Sequence, residues 1–177
     1  DLLGGHDPYS ASKASAELAI KSYVNSFFKK IKNLKISVAR AGNVIGGGDW
    51  SENRIIPDCY KSWSKNKKAI IRNPNSTRPW QHVLEAVYGY LVLAIKLNNN
   101  PKLHGQSFNF GPNTKRNYKV KELLNILEKN WEGFNWKNQN LKNLFYESNL
   151  LKLNSKKAEK ILNWKTRLNF EKTILMT

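Results

Sequence analysis

The fold class of this chain rests first on a short stretch near its start, Asp7-Pro8-Tyr9-Ser10-Ala11-Ser12-Lys13-Ala14. Aspartate caps a helix by accepting a hydrogen bond from a free backbone amide, and proline suits the first turn because it has no amide to satisfy. Apolar residues then recur at helical spacing up to about Phe28. The stretch therefore predicts a helix that begins after Asp7 and carries Tyr9 in its first turn.

Beyond this helix the sequence alternates between strand and helix patterns. Strands are predicted at 36–39, 69–71 and 108–110, and helices at 55–63, 83–97, around 120–127 and around 158–162. The segment 42–48 is predicted to be a glycine-rich loop. Because strands that alternate with helices form parallel sheets with covered faces, the expected class is α/β.

The length and composition favour one globular domain. With 177 residues, of which 40% are hydrophobic, the chain can bury one sizeable core. It begins at Asp1 without a methionine and stops after the apolar Ile174-Leu175-Met176, so both ends are expected to be cut. No apolar run approaches the roughly 20 residues of a membrane helix, and residues 1–10 lack the features of a signal peptide. A cytoplasmic protein without a membrane segment is expected.

The cysteine and histidine contents bear on redox and metal chemistry. Cys59 is the single cysteine, so no internal disulfide can form. His6, His82 and His104 are scattered and show no metal-ligand spacing. No metal cofactor is expected.

The net charge of +17 raises a second class of function, because strongly basic proteins often bind nucleic acid. Residues 1–118 carry 18 basic and seven acidic side chains, and residues 119–177 carry 12 and six. The basic charge is therefore spread along the chain instead of being gathered in an arm. Lysine-rich solvated faces explain it better, and a nucleic-acid-binding module stays open as the alternative.

Tyr9 and Lys13 are four residues apart and so share one face of the predicted helix. A neighbouring ammonium group favours the phenolate form of a tyrosine, which can then act as a general base. The spacing alone is weak in a lysine-rich chain. The small residues between Ser10 and Ala16 support it, because they would let a flat cofactor approach closely. The alternative is an exposed tyrosine on an amphipathic helix.

A dinucleotide-binding fold also needs a glycine-rich turn between its first strand and helix, with an acidic residue about 20 positions later. Gly46-Gly47-Gly48 follows a predicted strand but lacks the spacing that opens a cofactor-binding helix. The part that holds the cofactor pyrophosphate is therefore expected upstream of Asp1.

Several ordered motifs resemble those of the extended short-chain dehydrogenases/reductases. The Tyr9-to-Lys13 segment looks like the catalytic Tyr-x-x-x-Lys helix of that family, and Arg40-Ala41-Gly42-Asn43-Val44-Ile45-Gly46 is similar to the strand-end segment that follows it. Other strings resemble the nucleotide-sugar dehydratase branch that acts on CDP-glucose: Gly46-Gly47-Gly48-Asp49-Trp50, Arg72-Asn73-Pro74, Arg78-Pro79-Trp80-Gln81-His82-Val83, Phe108-Asn109-Phe110-Gly111-Pro112, Lys156-Lys157-Ala158 and Leu162-Asn163-Trp164. Several motifs in order are far more specific than any one of them.

The resemblance implies an α/β fold made of the C-terminal part of a Rossmann-like doubly wound parallel sheet plus a smaller substrate-binding α/β subdomain. Residues 1–48 would belong to the NAD-binding Rossmann domain, and residues 49–177 mainly to the subdomain, with 80–112 returning to the Rossmann sheet. It implies the NAD-dependent dehydration of a nucleotide-activated hexose, CDP-glucose to CDP-4-keto-6-deoxyglucose, through transient oxidation at carbon 4. NAD would be a tightly held cofactor. The expected partner is a nucleotide-sugar substrate, with no nucleic acid and no membrane, and a homodimer stays open.

The resemblance also assigns roles to single residues. Tyr9 would accept the proton of the sugar 4-hydroxyl, and Lys13 would hold the nicotinamide ribose. Asn43 would lie near the substrate diphosphate. Arg78 would pair with a phosphate, since a guanidinium is a planar and permanently charged fork.

Each candidate for substrate binding has a simpler explanation. Asn43 could occupy a left-handed turn beside Gly42. Arg78 could be a solvated loop residue, and Asn109 could satisfy backbone groups at a strand end. Arg54 and Asn109 are the weaker candidates for the substrate cleft.

Two departures from the family pattern bear on function. The family's dehydrating residues, a threonine and an acid/base pair, precede the matched motifs and are absent from this chain. Asn154 stands where the family commonly has an aspartate, a change expected to affect only a helix cap. The enzymatic alternative is a nucleotide-sugar epimerase or decarboxylase of the same fold, and a further alternative is a fragment that is inert by itself.

Aromatic residues alternate with lysines in the last third of the chain. They are Trp131, Phe134, Trp136, Phe145 and Tyr146. Such residues could form a base-stacking surface, but core packing around a mobile loop is the expected arrangement.

Overall fold

The computed structural model describes residues 7–112, 117–139 and 153–177. The α-helices within these ranges are α1 (Pro8–Ser26), α2 (Ile55–Trp63), α3 (Val83–Asn99), α4 (Val120–Asn130), α5 (Lys156–Leu162) and α6 (Phe170–Leu175), and short 3₁₀ turns lie at Phe28–Lys30 and Pro101–Leu103. The strands are β1 (Val38–Ala41), β2 (Asn43–Ile45), β3 (Ala69–Ile71), β4 (Thr77–Arg78), β5 (Trp80–His82), β6 (Ser107–Phe110), β7 (Tyr118–Lys119) and β8 (Trp136–Asn138).

The described strands pair two by two. β1 lies parallel to β6, β2 to β5 and β3 to β8, whereas β4 and β7 are antiparallel. Parallel pairing requires crossover connections, and helices α2 and α3 lie between β1 and β6 in the chain. The Gln81 side chain of β5 donates from Nε2 to the Phe110 carbonyl of β6 at 2.8 Å, which joins two of the pairs. The predicted α/β class with parallel strands is confirmed.

Two predicted elements are corrected by the structure. The strand expected at 36–39 lies at Val38–Ala41, because the register with β6 begins only at Val38. The segment 42–48, predicted as a loop, contains β2, because these residues pair with a strand from a distant part of the chain. The sequence patterns also do not predict α6, β4, β5, β7 or β8, since such short elements span too few residues to show a period.

Two apolar clusters form the core of the described structure. The first includes Leu123 and Leu124 of α4 and lies among α2, β3, α4 and α6. In the second, Trp164 packs edge-on against Phe110, with 5.0 Å between ring centroids. Cys59 is buried in the first cluster, and burial raises the pKa of its thiol to about 12. Apolar packing between helices and strands thus holds the described structure together.

The expected packing of the aromatic residues is found where the structure describes them. Phe134 is buried in the first cluster, and Trp131 and Trp136 pack against that cluster. Phe145 and Tyr146 lie outside the described residues.

Neither a membrane span nor a metal cluster is found in the described part of the chain. Its helices do not combine the length and the apolar character that crossing a bilayer requires. Within the same ranges, His, Cys, Asp and Glu side chains form no group of three that could hold a metal ion.

Candidate active site

The first turn of α1 presents Tyr9 and Lys13 on its surface. Asp7 caps the helix by accepting a 3.0 Å hydrogen bond from the Ser10 amide and a 2.6 Å bond from the Ser10 hydroxyl. Tyr9 is 71% exposed. The Lys13 ammonium nitrogen lies 5.5 Å from the centroid of the Tyr9 ring. The side chains therefore adjoin, as the helical spacing predicts, and the phenol is open to a ligand.

A polar network ties the middle of α1 to the strands. The Arg40 guanidinium of β1 forms a two-point ion pair with the Glu17 carboxylate of α1. Arg40 also donates from Nη1 to Asn109 Oδ1 of β6 at 3.1 Å. Asn109 Nδ2 in turn donates to the Asn154 carbonyl at 3.2 Å. Both polar atoms of the Asn109 side chain are thus engaged within the protein.

Asn43 is the first residue of β2 and lies in register with Trp80 of β5. The approach is close, because a Cβ atom at Gly42 would lie 2.9 Å from the Pro79 carbonyl oxygen. Asn43 is not in the left-handed region: the non-glycine residues with positive φ in the described ranges are Asn53, Asn66 and Asn163. The left-handed turn considered for Asn43 is therefore wrong, since pairing with β5 imposes an extended backbone.

Arg78 lies in β4 and pairs with Tyr118 of β7. Its Nη1 donates to the Thr77 carbonyl at 2.8 Å, and its side chain is half-buried. Arg78 is therefore part of a strand and not of a loop. Because Pro79 alone separates Arg78 from Trp80, the partner of Asn43, the structure brings these two candidates to neighbouring backbone positions.

Arg54 is exposed at the residue that precedes α2, beyond the loop that follows β2. The nearby Asp49 side chain accepts a 2.9 Å hydrogen bond from the Ser51 amide. Bonding to Ser51, and then the charges of Arg54 and Lys61, hold the pKa of Asp49 below its usual range. Arg54 thus belongs to a charged loop, whereas Asn43 and Arg78 belong to paired strands.

Sequence patterns missed three buried polar residues that join distant segments. Gln81 connects β5 to β6, as described above. His82 Nδ1 accepts from the Leu84 amide at 3.2 Å, so Nε2 carries the proton and donates to the Met176 carbonyl at 3.2 Å. Glu85 accepts from the amides of residues 167 and 168 at 2.7 and 2.8 Å. Their polarity within the otherwise apolar segment 80–87 was the available signal, since buried polar groups need partners.

The class of the protein follows from these features. Parallel β-strands joined by helices define a Rossmann-like α/β protein. Tyr9 and Lys13, at an exposed helix start, give it a Tyr-x-x-x-Lys pair. The model of the "NAD dependent epimerase/dehydratase family" matches residues 2–111. The chain belongs to this family.

Two curated proteins of related sequence are dehydratases. The chain is 39% identical to a CDP-glucose 4,6-dehydratase from Salmonella typhimurium, over 97% of this chain and 49% of the relative. It is 32% identical to a dTDP-D-glucose 4,6-dehydratase from Dictyostelium discoideum, over 54% of this chain and 21% of the relative. The chain therefore spans about half the length, or less, of these relatives.

Solved structures share the fold. The UDP-glucuronic acid 4-epimerase of Bacillus cereus, solved with UDP-glucuronic acid and NAD, matches 96% of this chain and 51% of its own with a TM-score of 0.80 at 19% identity. The dTDP-glucose 4,6-dehydratase of Bacillus anthracis, solved with NAD, matches 98% of this chain and 51% of its own with a TM-score of 0.73 at 21% identity. These similarities confirm the Rossmann-like fold.

NAD is the cofactor of this family, and the described residues fit one part of its site. The exposed Tyr9 phenol and Lys13 ammonium, flanked by the exposed small residues Ala11 and Ser12, could contact a nicotinamide ribose. The glycines at 46–48 do not open a helix, because α2 begins only at Ile55. The described residues offer no glycine-rich turn that opens a helix for the NAD pyrophosphate.

Proposed function

We propose that this chain supplies the catalytic tyrosine and most of the substrate cleft of a nucleotide-sugar 4,6-dehydratase that acts on CDP-glucose. The observation that carries the proposal is the exposed Tyr9–Lys13 pair, within a chain 39% identical to a CDP-glucose 4,6-dehydratase over 97% of its length. Residues 1–48 would complete a Rossmann domain, and residues 49–177 would mainly form the substrate subdomain, with 80–112 returning to the Rossmann sheet. Other residues of the full-length enzyme would supply the dinucleotide turn and the dehydrating groups.

Tyr9 would act as the general base of the first step. Its phenolate oxygen would accept the proton of the sugar 4-hydroxyl, and the Lys13 ammonium lies beside its ring. NAD, held at its ribose by Tyr9 and Lys13, would supply the capacity to accept and give back a hydride. Lys13 would also donate hydrogen bonds to the nicotinamide ribose.

The substrate diphosphate would lie against β2 and β4. Arg78 would pair with a phosphate, and Asn43 would donate an amide hydrogen bond nearby. The neighbouring backbone positions of these two residues support a shared role. Arg54 and Asn109 remain weaker candidates, and the engaged side chain of Asn109 favours a supporting role over direct contact.

A product assay tests this function against its alternatives. The full-length enzyme, incubated with CDP-glucose, UDP-glucose or dTDP-glucose, is expected to release a product lighter by one water, with CDP-glucose preferred. Mass spectrometry separates this outcome from epimerisation, which leaves the mass unchanged. A decarboxylase would instead release carbon dioxide from a sugar acid. An isomeric product of unchanged mass would overturn the proposal.

Two controls complete the assay. The 177-residue chain alone should bind NAD weakly and not dehydrate CDP-glucose, since the turn and dehydrating groups are expected upstream. The second control tests the nucleic-acid alternative. A nucleotide-sugar site should prefer one base when CDP-, UDP- and dTDP-glucose are compared at one salt concentration, whereas nucleic-acid binding should weaken steeply as salt rises. Turnover by the isolated chain would contradict the proposed division of the site.

A further inference from the structure

Glu17 and Arg40 form the ion pair of the described structure that joins the Tyr9–Lys13 helix to a strand. Arg40 Nε contacts one carboxylate oxygen of Glu17, and Arg40 Nη2 contacts the other. The side chains are 17% exposed for Glu17 and 34% for Arg40. A two-point pair of this kind fixes orientation as well as distance, because both planar groups must be aligned.

The pair lies on the helix face that carries the candidate catalytic residues. Tyr9, Lys13 and Glu17 follow one another at intervals of four residues. Residues at this spacing align along one side of a helix, so Glu17 lies roughly 12 Å along the axis from Tyr9. A rotation or shift of α1 at Glu17 would therefore move Tyr9 and Lys13 with it.

Within the described residues, the first two-thirds of α1 contain no buried apolar side chain. The buried residue of α1 is Val24, close to its C-terminal end. Around Tyr9 the helix is exposed, and the side chain at Leu18 is 55% exposed as well. Among the described residues, the Glu17–Arg40 pair is the ion pair that ties the first two-thirds of α1 to β1.

Arg40 is itself held by further groups. Asn109 of β6 accepts from Arg40 and donates to the Asn154 carbonyl. The nearby Lys157 ammonium donates to the Ser107 carbonyl at 2.9 Å and lies 4.6 Å from the Phe108 ring centroid. Burial, and then the charge of Arg40, lower the pKa of Lys157. Arg40 therefore has Glu17 as its anionic partner and Lys157 as a neighbouring cation.

We propose that Glu17 and Arg40 are positioning residues. They fix the rotation of α1 about its axis and its position along that axis, so that Tyr9 and Lys13 face the substrate. The inference rests on the proposed function. The pair acts through α1 and touches neither substrate nor cofactor.

Single substitutions in the full-length enzyme measure the effect. Glu17→Gln keeps the shape and removes the charge, whereas Arg40→Lys keeps the charge and removes the fork. Each is expected to lower the single-turnover rate of NAD reduction about tenfold, since small misplacements of reacting groups are costly. The affinity for CDP-glucose should stay near the parental value, because the pair is proposed to touch neither substrate nor cofactor. Glu128→Gln, at an exposed carboxylate of α4, is the matched control and should behave like the parent.

A double-mutant cycle separates positioning from a purely structural role. In a Tyr9→Phe background, Glu17→Gln should cost less than about threefold, because the base it positions is already gone. If Glu17 had a purely structural role, the rate losses of Tyr9→Phe and Glu17→Gln would instead multiply. Hydrogen exchange gives a second readout: amides in the first two-thirds of α1 should exchange faster in Glu17→Gln, while those of α4 should not change.

The outcomes distinguish this inference from the proposed function. Near-parental rates in Glu17→Gln and Arg40→Lys, beside a large loss in Tyr9→Phe, would overturn the positioning role and leave the proposed function in place. Fully multiplicative losses in the cycle would also overturn it. A parental rate in Tyr9→Phe would instead overturn the proposed function itself. A tenfold loss of rate with parental affinity for CDP-glucose and faster exchange in α1 supports positioning.

Discussion

Replacing Tyr9 with phenylalanine is expected to slow NAD reduction in the full-length enzyme by roughly two to four decades, the usual contribution of a general base. The substitution keeps the aromatic ring but removes the phenolic oxygen, which is the atom proposed to accept the sugar proton. Substrate affinity should change little, because the loss concerns the transition state and not the bound ground state. Single-turnover absorbance of the reduced nicotinamide measures this rate directly.

The same measurement tests the role of Lys13. Lys13→Met should weaken NAD binding and slow NAD reduction, because its ammonium is proposed to hold the nicotinamide ribose beside Tyr9. Tyr23→Phe is the matched control, since Tyr23 lies on the same helix and is 55% exposed.

Two results would contradict these assignments. If Tyr9→Phe keeps a near-parental rate while Tyr23→Phe does too, Tyr9 is an exposed helical tyrosine without a catalytic role. If Lys13→Met binds NAD as tightly as the parent, the ammonium does not hold the nicotinamide ribose.

Arg78→Ala is expected to weaken CDP-glucose binding by about 1.5 to 3 kcal/mol, or roughly one to two decades in affinity. A phosphate clamp contacts ground and transition states alike, so the rate of the bound-state chemistry should change much less. Arg78→Lys should recover only part of the affinity, because an ammonium cannot form two parallel hydrogen bonds. Titration calorimetry with CDP-glucose provides the dissociation constants.

The control for Arg78 is an arginine elsewhere in the fold. Arg167 lies with its guanidinium carbon 5.1 Å from the Tyr88 ring centroid, and Arg167→Ala should leave CDP-glucose affinity unchanged. Parental affinity in both Arg78 variants would show that Arg78 serves β4 alone, and the proposed location of the diphosphate would then be wrong.

The candidate catalytic pair was predictable because its geometry is local. Asp7, Tyr9 and Lys13 lie within two turns of one helix, and the observed cap and the 5.5 Å ring contact follow from that spacing. The Glu17–Arg40 ion pair, which also holds this helix, could not be predicted in the same way. Glu17 shares the spacing, but its partner Arg40 lies 23 residues away in the chain, and helical periodicity does not indicate partners at that separation.

By itself, the sequence determined the α/β class, the start of α1 and the alignment of Tyr9 with Lys13, because caps and helical spacing depend on neighbours within a few residues. Only the tertiary structure decided that Asn43 lies in a strand and that Arg78 lies next to β5, the strand that pairs with Asn43. It also decided that Asn109 accepts a hydrogen bond from Arg40. The Arg40–Asn109 contact spans 69 residues, and β2 exists only through its pairing with β5. Such contacts form when apolar packing brings distant segments together, so their residues carry no local pattern from which to predict them.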